Sequence, residues 1–140
     1  MSPAEARRRF AGARVARLAT AGADGRPHIV PIVFVLADDG DGDRVYSVVD
    51  AKPKRTTALR RLVNVAENPA VSLLADHYAE DWRSLWWARA DGVARILGEA
   101  DTSESARAVE LLHRRYPQQR AVGAVLAVDV RRWSGWSATG

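Results

Sequence analysis

Residues 15–36 read VARLATAGADGRPHIVPIVFVL. Val15 to Thr20 has the character of a strand. Asp24-Gly25 is a hairpin-turn signal, and Pro27 to Leu36 is a second, longer strand-like run. The long run is apolar at almost every position. That implies burial on both faces, or membership of a barrel with a partner surface outside. Pro31 has no N–H to give to a ladder, so it marks an edge or a bulge.

The neighbouring segments extend this reading. Upstream, Ser2-Pro3-Ala4-Glu5 is a capping box with proline at the first helical position, and the helix it opens should stop at Gly12. Downstream, Asp38 to Asp43 is a polar turn and Arg44 to Val49 a strand. Arg55 to Glu67 is helical, with Leu59, Leu62, Val63 and Ala66 on one face, and Asn68-Pro69 stops it. Val71 to Ala75 is a strand and His77 to Arg83 a polar connection. Leu85 to Leu97 is a long strand bent at Gly92. Asp101-Thr102-Ser103-Glu104 opens a helix that ends before Pro117. Gly123 to Val130 is the last strand, followed by a tail with Trp133 and Trp136. Six strands and three helices without regular βαβ alternation predict a mainly β fold. We expect a six-stranded antiparallel β-barrel with flanking helices, one domain over residues 1–140.

Composition narrows the function classes. The chain has 140 residues, 47% of them hydrophobic, enough for a core at this size. It has no cysteine, which removes disulfides, thiolate chemistry and cysteine-held metal. No apolar run approaches the ~20 residues that span a bilayer, and the N-terminus has no signal-peptide h-region. The expectation is therefore a cytoplasmic protein without a membrane partner. The three histidines form no metal-binding spacing. Asp39, Asp41 and Asp43 resemble the start of a calcium loop, but Arg44 stands where that loop needs glycine. No metal is expected. Ser134-Gly135-Trp136-Ser137 lacks the nucleophile-elbow pattern. Dinucleotide fingerprints and P-loops are absent. The 17 acidic residues nearly balance the 21 basic ones, and no strand carries a nucleic-acid-binding aromatic pattern. No nucleic-acid partner is expected.

Both lysines of the chain, Lys52 and Lys54, fall in the stretch Val48-Val49-Asp50-Ala51-Lys52-Pro53-Lys54-Arg55-Thr56-Thr57. It leaves an apolar strand, turns at a proline and enters a helix. It thus offers ammonium groups, a guanidinium, hydroxyls and helical N–H groups at one point, a combination that suits a phosphorylated anion. A solvated basic loop is the competing reading. Trp82, Trp86 and Trp87 lie within six residues, and adjacent Trp86 and Trp87 in a strand must face opposite sides. An indole left outside the barrel fits a subunit interface that also walls a flat ligand. Two half-buried core aromatics are the alternative.

Leu18-Ala19-Thr20, Asp24-Gly25-Arg26-Pro27-His28 and Pro31-Ile32-Val33-Phe34 resemble the opening of the pyridoxamine-phosphate-oxidase-like split β-barrel proteins. Lys52-Pro53-Lys54-Arg55-Thr56-Thr57, Leu59-Arg60-Arg61-Leu62, Asn68-Pro69 and Val71-Ser72-Leu73-Leu74 continue the resemblance. Asp76 to Trp82, Leu85-Trp86-Trp87 and Arg89-Ala90-Asp91-Gly92 are similar to the actinobacterial deazaflavin-dependent branch. The resemblance spans about residues 10–135. It implies a homodimer with two cofactor sites at the subunit interface, and coenzyme F-420, an 8-hydroxy-5-deazaflavin with an acidic tail, as cofactor. FMN is the alternative.

Carried over position by position, the resemblance implies that Lys54, Arg55, Thr56 and Thr57 bind phosphate. It assigns Lys52 to the same role or to the acidic tail. Ser47, Val48, Val49 and Asp50 would run beside the ring and meet its edge through backbone groups. His28 and Pro31 would lie on the neighbouring strand. Trp86 or Trp87 would close the pocket from the other subunit. The activity implied is hydride transfer between the reduced deazaflavin and a small electron-poor acceptor. The catalytic residues stay unassigned, with His28 and Tyr78 as candidate proton donors. A pyridoxamine-phosphate-oxidase-type FMN enzyme and a non-catalytic cofactor- or haem-storage protein are the rival functions.

Overall fold

The computed structural model describes residues 1–38, 40–49, 56–98, 102–119 and 123–139, with only the backbone given for residues 56–59 and 102. The elements run α1 (Pro3–Gly12), β1 (Ala16–Ala21), β2 (Pro27–Ile32), β3 (Val35–Asp38), β4 (Asp43–Val49), α2 (Thr56–Glu67), β5 (Ala70–His77), β6 (Trp86–Leu97), α3 (Thr102–Arg115) and β7 (Ala124–Ser137). A single 3-10 turn, Trp82–Ser84, joins β5 to β6. All described ladders are antiparallel, and the strands form one sheet in the order β2-β1-β5-β6-β7-β4-β3.

The sheet has seven strands, one more than the sequence reading gives. The apolar run from Pro27 to Leu36 is two strands, broken at Val33-Phe34. Its halves sit at opposite edges of the sheet. Laid flat, six gaps of ~4.8 Å would hold those edges ~29 Å apart. The two-residue link between Ile32 and Val35 spans about 11 Å at most. The sheet must therefore curl until its edges approach, yet no described ladder closes it. The result is an open, split barrel. Side chains satisfy the carbonyls exposed at the break. Ser47 Oγ donates to Val33 O at 2.9 Å, and Arg115 Nη1 to Phe34 O at 3.0 Å. Arg115 also donates to Ala13 O and stacks on the Phe34 ring at 4.9 Å.

The second correction concerns the C-terminal tail, which continues β7 to Ser137. A bulge opposite Asp91/Gly92 leaves Arg131 unpaired and re-phases the strand. Trp133 then turns inward against Phe10, and its Nε1 donates to Asp43 Oδ2 at 2.8 Å. Asp43 also accepts from Arg7 Nε at 2.8 Å, so this aspartate ties α1 to β7. At the bulge β7 approaches β6 closely. A Cβ on Gly92 would lie 2.4 Å from the Asp129 carbonyl oxygen.

The inside of the barrel is filled by Phe10 and Ala6 of α1 with Leu18, Phe34, Val45, Val49, Leu73, Leu126 and Val128. A second cluster lies outside the sheet under α3: Ala37, Tyr46, Val48, Leu97, Val125 and Ala127 against Ala108, Leu112 and Tyr116. β4 is therefore apolar at consecutive positions because both of its faces are covered. Charges pin α3 at the rim of this cluster. Arg95 donates to both Glu104 oxygens at 3.0 Å and to Asp129 Oδ2 at 2.9 Å. Arg44 Nε donates to Asp129 Oδ1 at 2.8 Å, and Tyr46 Oη to Glu104 Oε2 at 2.7 Å. The Arg95 hydrogen bonds hold Glu104 below its ordinary carboxylate value. Burial pushes Asp129 up, but the bonds from Arg95 and Arg44 outweigh it. Burial and the Glu104 contact raise Tyr46 to about 12.

Two outcomes follow. The folded state lowers both carboxyls, so their stabilisation is fully present above the ordinary Glu104 value of 4.5 and fades as pH falls through the lowered native values. In melts from pH 7 to pH 3, Glu104→Gln should lose about 1–2 kcal/mol at pH 7 and show a shallower acid decline than the parent. Gly92→Ala forces a side chain against backbone and should cost roughly 2–3 kcal/mol by urea unfolding.

Candidate functional site

The break in the barrel creates the site. β3 pairs with β4 only as far as Val35↔Tyr46, whereas β7 continues along β4 to Val49↔Ala124. Residues 47–49 of β4 therefore have a ladder on one side only. β2 pairs with β1 along its whole length and with no other described strand. The free edge of β2 and the unladdered end of β4 are the two lips of the split. The chain leaves β4 at Val49 and is helical again from Thr56, so six residues of chain separate the β4 lip from the N-terminus of α2.

At the β4 lip, Ser47 is buried and its hydroxyl is committed to Val33 O. Val48 packs under α3 and Val49 inside the barrel. None of the three aims a side chain at the split. What they can offer a ligand is backbone N–H and C=O. Thr56 and Thr57 form the first turn of α2, where helical N–H groups are without intrahelical acceptors. Asp50, Lys52, Lys54 and Arg55 lie outside the described residues.

On the opposite lip, Pro31 is exposed and pairs with Arg17 of β1. Its place on an edge strand explains why a proline is tolerated there. His28 pairs with buried Thr20, and its Nδ1 is buried without a hydrogen-bond partner. Thr20 Oγ1 accepts from Asn64 Nδ2 at 3.1 Å, and Ala23 N donates to Glu67 Oε1 at 3.2 Å. Through these bonds α2 is docked on the hairpin that carries the lip. The hairpin itself turns at Gly25, whose φ is +74° and whose N–H bonds Gly22 O at 3.1 Å.

The tryptophans separate as strand alternation demands. Trp86 turns inward, packs on the core and lies under Arg9 at 5.6 Å. Trp87 faces out beside Trp136, its cross-strand partner, with Arg89 at 5.6 Å. Among the described residues, no element covers the outer face they share. It carries Ile29, 65% exposed, together with Pro31, Leu74, Trp87 and Trp136. A shallow cavity of about 400 Å³, lined by residues including Ala19, Pro27, Ser72 and Asp91, opens on the same side of the sheet. The most exposed aromatics are Trp82 at 77% and Tyr78 at 68%, which line a cavity of about 530 Å³ with Ala79 and Glu80; the sequence reading names both residues but not their exposure. Their neighbourhood in a polar loop was visible, but nothing in the pattern separates a free indole from one folded back.

Arg60 and Asn64 of α2, with Asp24, Arg26 and His28, line another cavity of about 240 Å³. Only His28 of these is among the site residues expected from sequence. No helix among the described residues is long and apolar enough to cross a membrane.

Comparison with known proteins agrees with this architecture. No curated protein matches the sequence. A conserved hypothetical protein from Mycobacterium tuberculosis superposes with a TM-score of 0.74 at 23% identity, covering 99% of this chain and 86% of that one. A FAD-binding protein from Mesorhizobium loti superposes with a TM-score of 0.71 at 20% identity, covering 96% and 94%. HutZ, the haem storage protein of Vibrio cholerae, gives a TM-score of 0.59 at 20% identity, covering 98% and 95%. These likenesses establish the fold. The sequence profile described as pyridoxamine 5'-phosphate oxidase matches residues 2–137, almost the whole chain. The chain with the split sheet described above thus belongs to the pyridoxamine 5'-phosphate oxidase family.

Proposed function

We propose that the protein is an oxidoreductase that uses coenzyme F-420 and works as a homodimer, reducing a small electron-poor organic molecule such as an enone or quinone. The observation that carries this reading is the split itself. One lip is the backbone edge of residues 47–49, laddered on one side only and followed in sequence by a helix N-terminus, and the other carries an unpartnered buried nitrogen on His28. That pairing fits a planar ring with polar edges and an acidic handle. Backbone groups of Ser47, Val48, Val49 and Asp50 would hold the ring edge. Lys54, Arg55, Thr56 and Thr57 would hold the phosphate, and Lys52 the phosphate or the tail. The bound deazaflavin would supply hydride transfer. The protein's share is to orient the ring against the acceptor and to exclude water. His28 and Tyr78 remain the candidate proton donors, the first half-buried at the lip and the second exposed on its loop.

The homodimer reading is supported by the uncovered outer face. Ile29, Leu74, Trp87 and Trp136 form an apolar surface that water would otherwise wet. A second copy covering it would bring the exposed Trp82 and Tyr78 loop within reach of the partner. With Trp86 and Trp133 packed inward, Trp82, Trp87 and Trp136 are the indoles left to meet a ring from the other subunit.

A flavin in place of the deazaflavin is the second reading, favoured by the FAD-binding protein among the structural relatives. Storage without turnover is the third, favoured by the likeness to a haem storage protein. Titrating the protein separately with coenzyme F-420, FMN, FAD and haem, with tryptophan quenching as the readout, distinguishes them. The deazaflavin should bind most tightly, and replacing Lys54 and Arg55 together by alanine should weaken it at least tenfold. Tighter FMN or FAD binding would overturn the cofactor choice. Bound cofactor that no acceptor oxidises would overturn the enzyme. For assembly, sedimentation should give a dimer for the parent and a monomer for Ile29→Asp. A monomeric parent removes the interface.

A further inference from the structure

We propose that the cleft between the β1–β2 hairpin and the middle of α2 is a binding site for a carboxylate arm of a small molecule. Asp24, Arg26, Pro27, His28, Arg60 and Asn64 line it, around about 240 Å³. Ligand pockets for whole drug-sized molecules run from ~300 Å³ upward. This one is therefore a subsite for an arm, too small to enclose a tricyclic ring.

Its charge is unspent. Among the described residues, neither Arg26 nor Arg60 takes part in an ion pair. Arg61, next on α2 but outside the lining, has a buried Nε without a partner, and burial depresses its guanidinium. Residues 60, 61 and 64 lie within ~100° of arc on the helix, so both arginines flank the Asn64 side. His28 Nδ1 is a further buried atom lacking a partner. Uncompensated buried polar groups of this kind are rare in native proteins and call for a ligand or ion. Two carboxylates oppose the positive charge. Asp24 Oδ1, in the lining, accepts from the Arg26 amide at 3.0 Å, and Glu67 Oε1, at the floor, accepts from the Ala23 amide at 3.2 Å.

The floor is already built. Asn64 is fixed on Thr20, and Glu67 on the amide of Ala23. Gly22 leaves room for both side chains, since a Cβ there would lie 2.8 Å from Asn64 Oδ1 and 2.6 Å from Glu67 Oε1. Binding therefore orders little beyond two arginine side chains. A planar carboxylate matches the fork of a guanidinium. A phosphate dianion would meet twice the repulsion from Asp24. The carboxylate has two sources, the acidic tail of a redox cofactor or an acidic substituent of the acceptor.

Calorimetric titration of the full chain without cofactor, carrying Lys54→Ala and Arg55→Ala to remove the phosphate site proposed above, with glutarate and inorganic phosphate as probes, tests the cleft independently of the cofactor assignment. Glutarate should bind in the millimolar range and more tightly than phosphate. Arg60→Gln and Arg26→Gln should each weaken it at least tenfold. Arg60→Lys, which keeps charge without the fork, should lose less. Arg83→Ala, at a remote exposed pair, should change nothing. Glutarate affinity that survives both glutamine substitutions overturns the proposal, as does phosphate binding more tightly than glutarate. A repeat with protein saturated in coenzyme F-420 assigns the source. Displacement of glutarate supports the cofactor tail, and retention supports a substrate arm.

Discussion

The structure turns on a two-residue break. Val33 and Phe34 separate strands that occupy opposite edges of one sheet, so chain continuity forces the sheet to curl. The break also strips two carbonyls of ladder partners inside a largely apolar region. Leaving such groups bare costs ~1–3 kcal/mol each. Ser47 and Arg115 supply the missing donors from β4 and α3. The split, its lips and the uncovered end of β4 all follow from this corner.

Placement of helices then divides the surface by use. α1 fills the barrel through Ala6 and Phe10, and α3 covers the outer face of β4 and the far half of β6. α2 is docked on the β1–β2 hairpin by Asn64 and Glu67. The near half of β6, with Trp87, Arg89 and Asp91, is left without cover from the described residues. Coverage by an element gives stability, and its absence gives surface for recognition. The ion cluster around Arg95 belongs to the first kind, since its charges are mutually satisfied.

Much of the fold was legible in the sequence where one residue has one physical meaning. Asp24-Gly25 reads as a turn because glycine alone takes φ of +74° without cost, and Pro31 reads as an edge because it has no N–H. Gly92 marked a bend, and the bulge is there. The Val33-Phe34 break was not legible, because apolar side chains continue through it and only a distant serine and arginine reveal it. The extension of β7 was hidden by Arg131-Arg132, whose bulge breaks the alternation that pattern reading needs. At the site, strand alternation made it clear that Trp86 and Trp87 separate. Which of them turns inward depended on α1 packing beneath, which no local pattern encodes. The Arg26–Arg60 cleft joins residues 34 positions apart, and no spacing rule connects them.

The hold of Arg115 on the corner reaches across 81 residues of chain. During synthesis, strands β2 and β3 emerge long before the guanidinium that seals their junction. Until α3 arrives, two open strand edges and bare peptide groups stand side by side, the arrangement most prone to pairing with a neighbouring molecule. Safe passage to the native state thus rests on a late-made helix, and a chain truncated before it would be a natural seed for self-association.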